Sequence, residues 1–399
     1  MSIFTLAPEP STKLGVLRNL SPNASVHVSP FCLGGMNIGD KWNGVMGSMN
    51  KESSFKLLDA YLDMGGNFID TANNYQDETS EEYIGEWLEK RGIRDQVVLA
   101  TKANFLPRFC IPFSDIRISQ YSTNFKRGND SIAQKANYAG NNLKSLHVSV
   151  EASLKKLRTS YIDLLYVHWW DYNTSVKEVM DGLHALVMQG KVLYLGISDT
   201  PAWIVSQANE YARLMGKTPF SVYQGRWSIL DRSFEREIIP MARSLGLALA
   251  PWGVLGQGKL RTDAEEQRRK ESGENGRTML GDWQRSEEEI RISRALEKVA
   301  GEVGLGDNIG AVAIAYVMQK TPYVFPIVGG RKIEQLEANI KALDVTLSEE
   351  QIQFLEGVIS FNPGFPHDLI GDGSKIFIGL LNAVVLKKVP LQQPIKPSD

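Results

Sequence analysis

Four side chains with complementary chemistry fall at the ends of short apolar runs. Phe68-Ile69-Asp70-Thr71-Ala72 carries an acid, with Tyr75 just beyond it; Leu99-Ala100-Thr101-Lys102 ends in a lysine and Leu165-Tyr166-Val167-His168 in a histidine. Each alone has an ordinary explanation: a structural His, a solvated Lys, a packing Tyr. Together, on neighbouring strand ends, they fit one reaction. A phenol with a pKa near 10 needs help to exchange a proton at neutral pH. A buried ammonium beside it favours the phenolate, and Asp70 would keep Lys102 charged and fixed. A hydrogen bond from His168 would orient a carbonyl oxygen. This is acid catalysis without a nucleophile, suited to a carbonyl that receives hydride. A hydrolase would need a paired carboxylate or a metal cluster at the strand ends, and the sequence offers neither there. Trp42 and Trp169, with Trp170, stand near the same ends, so Trp42, Tyr75, His168 and Trp169 are the candidate contacts for a flat aromatic substrate; tryptophans that simply pack are the competing explanation.

A hydride donor must also bind, and the usual dinucleotide fingerprint is absent. Gly304-Leu-Gly306-Asp-Asn-Ile-Gly310 has the wrong spacing and follows no strand. Gly253-Val-Leu-Gly256-Gln257-Gly258-Lys259-Leu260 approaches a phosphate-binding loop, but Leu260 replaces the hydroxyl residue that would hold magnesium. A second phosphate candidate is Val328-Gly-Gly330-Arg331-Lys332, ahead of a helix expected over 333–343, where backbone amides and an Arg fork would meet a ribose phosphate. A glycine turn with solvated charges is the alternative there.

The elements that must position these residues alternate in one pattern. Apolar, β-branched runs at Pro30–Gly34, Asn67–Ala72, Val97–Lys102, Ile162–His168, Val192–Ser198, Ser221–Trp227, Leu247–Trp252 and Tyr323–Gly329 are each followed by a stretch of helical period. Near-continuous apolar runs suit a parallel sheet covered on both faces. Eight βα units predict a single closed (β/α)8 barrel over about residues 12–363, with an open doubly wound sheet as the alternative. Most strand starts lie about 30 residues apart, but Val97 to Ile162 spans 65 and Leu247 to Tyr323 spans 76. Long loops therefore follow strands 3 and 7, and a C-terminal tail covers 364–399. Whether the loop over 259–287 is structured is open.

Composition narrows the partners. The 399 residues carry 44 Lys+Arg against 46 Asp+Glu, a formal charge of −2, which argues against nucleic acid or an anionic membrane as the main partner. Only Cys32 and Cys110 are present, so no disulfide framework is expected. With no secretory pattern at the amino terminus and no apolar run near 20 residues, a cytoplasmic protein is expected, monomeric or a small homo-oligomer. No metal site is expected.

The strings Leu33-Gly-Gly35-Met36-Asn-Ile-Gly-Asp-Lys-Trp42, Phe68-Ile-Asp-Thr-Ala-Asn-Asn-Tyr75, Tyr166-Val-His-Trp-Trp-Asp171, Leu195-Gly-Ile-Ser-Asp-Thr-Pro-Ala-Trp203 and Ala250-Pro-Trp-Gly-Val-Leu-Gly256 resemble the aldo-keto reductase superfamily, and within it the fungal aryl-alcohol dehydrogenase and norsolorinic-acid-reductase branch. The likeness runs from about Thr12 to Pro363. It implies an NADPH-dependent oxidoreductase that interconverts aromatic aldehydes or ketones and their alcohols, with Tyr75 as proton donor in a tetrad with Asp70, Lys102 and His168. It implies cofactor contacts from Gly35, Met36 and Asp70, from Ser198, Asp199 and Gln224 to the nicotinamide carboxamide, and from Trp252 stacking on the ring. Gly253, Leu255, Gly256, Gln257 and Gly258 would line the pyrophosphate, and Val328, Gly330, Arg331, Gln335 and Asn339 the adenosine 2′-phosphate end. The superfamily also includes channel-associated, cofactor-sensing subunits, the alternative function.

The chain departs from the family pattern in places. Asp199 stands where many members have Asn, Ala338 where they have Glu, and Trp252 where Tyr is commoner. The branch passes directly from the catalytic Lys into a Tyr-x-Thr-Asn stretch, whereas here Tyr121-Ser-Thr-Asn124 follows an extra 103–120, which reads as an insert foreign to the branch or an unspliced intron.

Overall fold

A computed structural model describes residues 6–46, 49–103, 125–126, 129, 131–273 and 283–397. The insert expected over 103–120, from residue 104 on, and Tyr121–Asn124 lie outside the described residues.

The chain opens with an antiparallel hairpin, β1 (Arg18–Ser21) and β2 (Ala24–Val28). Eight parallel strands follow: β3 (Cys32–Gly34), β4 (Phe68–Asp70), β5 (Val98–Ala103), β6 (Ile162–Val167), β7 (Val192–Ser198), β8 (Phe220–Arg226), β9 (Ala248–Trp252) and β10 (Ile327–Val328). They form one sheet in the order β10-β3-β4-β5-β6-β7-β8-β9. Its last seam is closed by a parallel bridge between Leu249 and Val324, where Phe325 N–H donates to Leu249 O at 2.8 Å. The eighth strand, expected over Tyr323–Gly329, is thus split: 323–325 pairs with β9, and Ile327–Val328 pairs with β3. Pro326, which has no N–H to donate, stands between the halves. The result is the (β/α)8 barrel the strand pattern predicts.

Period-two alternation decides what enters the barrel. Phe68, Val98, Ala100, Leu164, Tyr166, Val222, Ala248, Ala250 and Phe325 pack together inside it. Leu20, Ala24 and Val28 join this cluster, so the hairpin plugs the amino-terminal end; it is held there by Asn23 Nδ2, which donates to Leu245 O and Gly246 O, both at 2.9 Å. The other strand face packs against the helices. The helix Val176–Met188, whose N-terminal Ser175 hydroxyl accepts from Glu178 N–H, buries Val179, Met180, Leu183 and Leu186 at helical spacing. Each of these contributes about 2 kcal/mol of transfer free energy.

The loop after β9 holds a helix, Asp263–Ser272, capped by Thr262. Arg285 ties this helix back through Asp263, at 2.7 Å, and Glu266. The tail beyond Phe361 forms only short turns, His367–Ile370 and Ile378–Leu381, and most of its apolar side chains are exposed. Among the described residues, no helix is long and apolar enough to cross a membrane.

Candidate active site

The parallel register sets the site. Asp70 lies opposite Ala100, so Lys102, one pleat further along β5, reaches the level just above it; Tyr166 lies opposite Lys102, and His168 is one pleat beyond Tyr166. Asp70 and Lys102 are buried and ion-paired, and Lys102 Nζ also donates to Thr71 O at 2.9 Å. Gln224 Nε2 donates to the other Asp70 oxygen at 3.0 Å. Lys102 Nζ sits 5.0 Å from the Tyr75 ring centroid, and the Tyr75 ring stands edge-on to His168 with centroids 6.1 Å apart. The expected four are thus brought together at the carboxyl end of the barrel.

Burial and charge oppose each other here. Burial lifts the Asp70 carboxyl above its usual range against the pull of Lys102 and Gln224. For Lys102, burial works downward, but Asp70 and Tyr75 outweigh it and its pKa rises. For Tyr75, burial raises the phenol and outweighs the lowering effect of Lys102. Lys102 does favour the phenolate, as expected, but desolvation is the larger effect. Cys32 lies inside the barrel, where burial raises its thiol and leaves it inert.

The turn that carries Tyr75 is unusual. Gln76, Asp77 and Glu78 all adopt left-handed φ, 52°, 49° and 81°. Non-glycine residues persist there only where their surroundings hold them. Gln76 is fully buried; its Nε2 donates to Met36 O at 2.9 Å and its Oε1 accepts from Trp42 N–H at 2.8 Å. Trp42 Nε1 donates to Asp77 at 3.0 Å, and its ring lies edge-on to Tyr75, centroids 6.4 Å apart. Gly39, at φ 126°, lets the loop pass, since a Cβ there would come within 2.6 Å of the Gln76 side chain. Behind the turn, Lys156 pairs with Glu78 at 3.1 Å and with buried Glu81 at 2.8 Å, and donates to Asn73 O. Sequence reasoning missed Gln76, Asp77, Glu81 and Lys156, because nothing in Gln-Asp-Glu signals a left-handed turn.

The other expected residues are placed as follows. Gly35 and Met36 form a tight turn after β3. Ser198 ends β7 with its hydroxyl buried and without a hydrogen-bond partner among the described residues. Asp199 follows at φ 39° and accepts from Trp252 Nε1 at 3.3 Å; burial pushes its carboxyl up to about 7. Gln224, expected at the carboxamide, has its amide nitrogen committed to Asp70. Gly253, Gly256, Gln257 and Gly258 take left-handed φ in succession around Leu255, a curved backbone of the kind that cradles anions. Lys259 is turned away to Gln284 O and to Glu289 at 3.5 Å. Val328 and Asn339 are buried, whereas Arg331, Lys332 and Gln335 are exposed; Gln335 Oε1 accepts from Arg331 N–H at 2.9 Å. Among the described residues, no carboxylate pairs with Arg331 or Lys332. Trp169 is half-buried near the mouth, but Trp170 packs in the layer between strands and helices. No group of three His, Cys, Asp or Glu among the described residues could hold a metal ion.

A parallel (β/α)8 barrel with a tyrosine set beside a buried acid–lysine pair at its carboxyl end fits the site of a barrel oxidoreductase. The chain belongs to the aldo/keto reductase family, whose model matches residues 30–360. It is 58% identical over 402 residues to the aryl-alcohol dehydrogenase [NADP(+)] of Phanerodontia chrysosporium, covering 100% of each chain. It is 54% identical to a putative aryl-alcohol dehydrogenase of Saccharomyces cerevisiae, covering 93% of each. It is also 48% identical to norsolorinic acid reductase B of Dothistroma septosporum, over 90% of this chain and 86% of the relative.

Proposed function

We propose that the protein reduces aromatic aldehydes or ketones with NADPH, and runs in reverse on aryl alcohols, with Tyr75 as the proton donor. The observation that carries this reading is the buried Asp70–Lys102 pair beside the Tyr75 phenol, which His168 flanks. When bound, the nicotinamide supplies the hydride. The residues present fit this cofactor. The buried, unpartnered Ser198 hydroxyl lies at the carboxyl end of β7 beside Asp199, where a carboxamide would satisfy it. The Trp252 ring ends β9 at the same rim, and the left-handed residues Gly253, Gly256, Gln257 and Gly258, with Gly35 and Met36 after β3, two strands away round the barrel, suit a pyrophosphate. Arg331 and Lys332, which pair with no carboxylate among the described residues, suit a 2′-phosphate, with Val328, Gly330, Gln335 and Asn339 around them. Tyr75 Oη passes its proton to the carbonyl oxygen, and Lys102 stabilises the phenolate left behind. His168 orients that oxygen, and Trp42 and Trp169 bound the aromatic ring.

The test is NADPH binding followed by turnover on a panel of benzaldehydes and aryl ketones, with Tyr75→Phe as control. Turnover on the panel is expected, and Tyr75→Phe should lower kcat by about 10²- to 10⁴-fold. Its NADPH affinity should stay within about twofold, because only a transition-state interaction is lost. Normal cofactor binding with no turnover at any pH would favour a cofactor-sensing regulatory role instead.

A further inference from the structure

Asp199 is a carboxyl group in a place that gives a carboxylate little support. It follows Ser198 directly, its backbone N–H donates to Gln224 O at 3.1 Å, and its left-handed φ turns the chain at the rim. The Trp252 indole, from β9, is the one hydrogen-bond donor to its side chain among the described residues. The cations that face it are engaged elsewhere: Arg226 of β8 pairs with Asp231 at 2.7 Å, and Lys102 of β5 pairs with Asp70. The remaining titratable neighbours are Tyr223 of β8, whose hydroxyl donates to Thr200 O, and Tyr75 from the turn after β4; neither supplies positive charge. A carboxyl so placed is pushed upward, to about 7, and changes charge near neutral pH.

We infer that Asp199 senses the charge of the nicotinamide: it meets the neutral reduced ring as a protonated, hydrogen-bond-donating acid and the positively charged oxidised ring as a carboxylate. The inference rests on the reading that these strand ends hold the nicotinamide. As an acid, Asp199 donates one hydrogen bond, as an amide would; as an anion it offers charge to the oxidised ring alone. The proton comes from solvent when the reduced cofactor binds and returns to solvent when the oxidised form replaces it. The site therefore favours NADPH below neutral pH and NADP above it, and tilts the protein toward alcohol oxidation as pH rises.

The experiment measures Kd for NADPH and for NADP on the whole protein between pH 6 and 8.5, for the wild type and Asp199→Asn. Asn tolerates the left-handed backbone, so the variant keeps the local fold. The ratio of the two Kd values is the readout, because titration of the 2′-phosphate affects both forms alike and cancels. One proton linked in opposite senses changes each Kd by up to about tenfold per pH unit. In the wild type the ratio should therefore change by about a hundredfold or more across the range, and in Asp199→Asn it should be flat. Calorimetry of the wild type in buffers of different ionisation enthalpy should record proton uptake with NADPH at pH 8 and release with NADP at pH 6.5. A flat wild-type ratio with no proton exchange, or an Asp199→Asn ratio that keeps the slope, overturns the inference and leaves the cofactor reading standing. Failure to bind either form at any pH overturns both.

Discussion

Replacing Lys102 by Met tests the centre of the site, because it leaves Asp70 buried without its cation. Asp70 then retains the Gln224 amide at 3.0 Å as a hydrogen-bond donor. An uncompensated buried charge costs about 3–5 kcal/mol, and the carboxyl escapes that cost by keeping its proton. Its folded pKa therefore rises well above the unfolded value near 3.9. The sign follows: between those two values the folded protein holds a proton that the unfolded chain has released, so stability is present at low pH and falls as pH rises. The slope is about 1.4 kcal/mol per pH unit until the folded pKa is reached. Urea unfolding of Lys102→Met, Asp70→Asn and the double variant from pH 5 to pH 8 reads this directly. Relative to the double variant, Lys102→Met should be about 1.5 kcal/mol less stable at pH 5 and about 3–5 kcal/mol less stable at pH 8. The double variant should keep most of its stability at pH 8, since no charge remains buried. A Lys102→Met loss that is equal at both pH values, or a double variant no better than Lys102→Met at pH 8, refutes the coupled pair. The same substitution removes a cation 5.0 Å from the Tyr75 ring centroid. At an effective dielectric of about 20 that charge is worth about 3 kcal/mol to a phenolate, or about two orders of magnitude in any step that develops one.

Two further substitutions probe the rim. Arg331→Ala removes an exposed guanidinium and one charge-assisted bond of about 1.5–3 kcal/mol. Fluorescence titration should show NADPH weakened about 10- to 100-fold, less so at high salt, and NADH hardly at all; equal losses would place the 2′-phosphate elsewhere. Gln76→Leu leaves Trp42 N–H and Met36 O without the amide that bridges them, an expected destabilisation of about 1–3 kcal/mol by thermal unfolding. Because Trp42 borders the substrate side, KM for aryl aldehydes should rise while NADPH affinity is kept; loss of cofactor binding instead would mean that the turn supports the nicotinamide side.

What the sequence disclosed and what it hid divide along one physical line. Strand positions were readable because apolar runs of a buried parallel sheet are local signals, and Asp70, Lys102 and His168 were readable because they end such runs. The hairpin over 18–28 was missed because its strands are short and outward-polar: Arg18, Asn19, Ser25 and His27 break the run, and Leu20, Ala24, Val26 and Val28 face the barrel. The Gln76–Glu78 turn was hidden for another reason. Its left-handed conformation is held by Met36, Trp42, Lys126 and Lys156, all remote in sequence. The hydrogen bond from Gln224, an expected cofactor contact, to Asp70 was hidden too, because it depends on two strands four places apart in the sheet order meeting across the barrel interior.

Strand parity explains why the chemistry gathers where it does. Inside the barrel, each strand contributes every second residue, and the register keeps those residues in layers. Phe68, Val98, Ala100, Leu164, Tyr166, Val222, Ala248 and Ala250 occupy the lower layers and are apolar or aromatic. The next residue of the same parity on each strand is Asp70, Lys102, His168, Ser198, Gln224 and Trp252. A polar layer is affordable there because the apolar layers below exclude water while the mouth admits ligands. That position gives Lys102 and Asp70 their burial and gives Tyr75, arriving from the turn above, both a dry floor and an open side. Asp199 breaks the parity, since its left-handed backbone carries it out of the strand. That departure leaves its carboxyl outside the network that holds the others and makes it the member of the rim whose charge a bound cofactor can set.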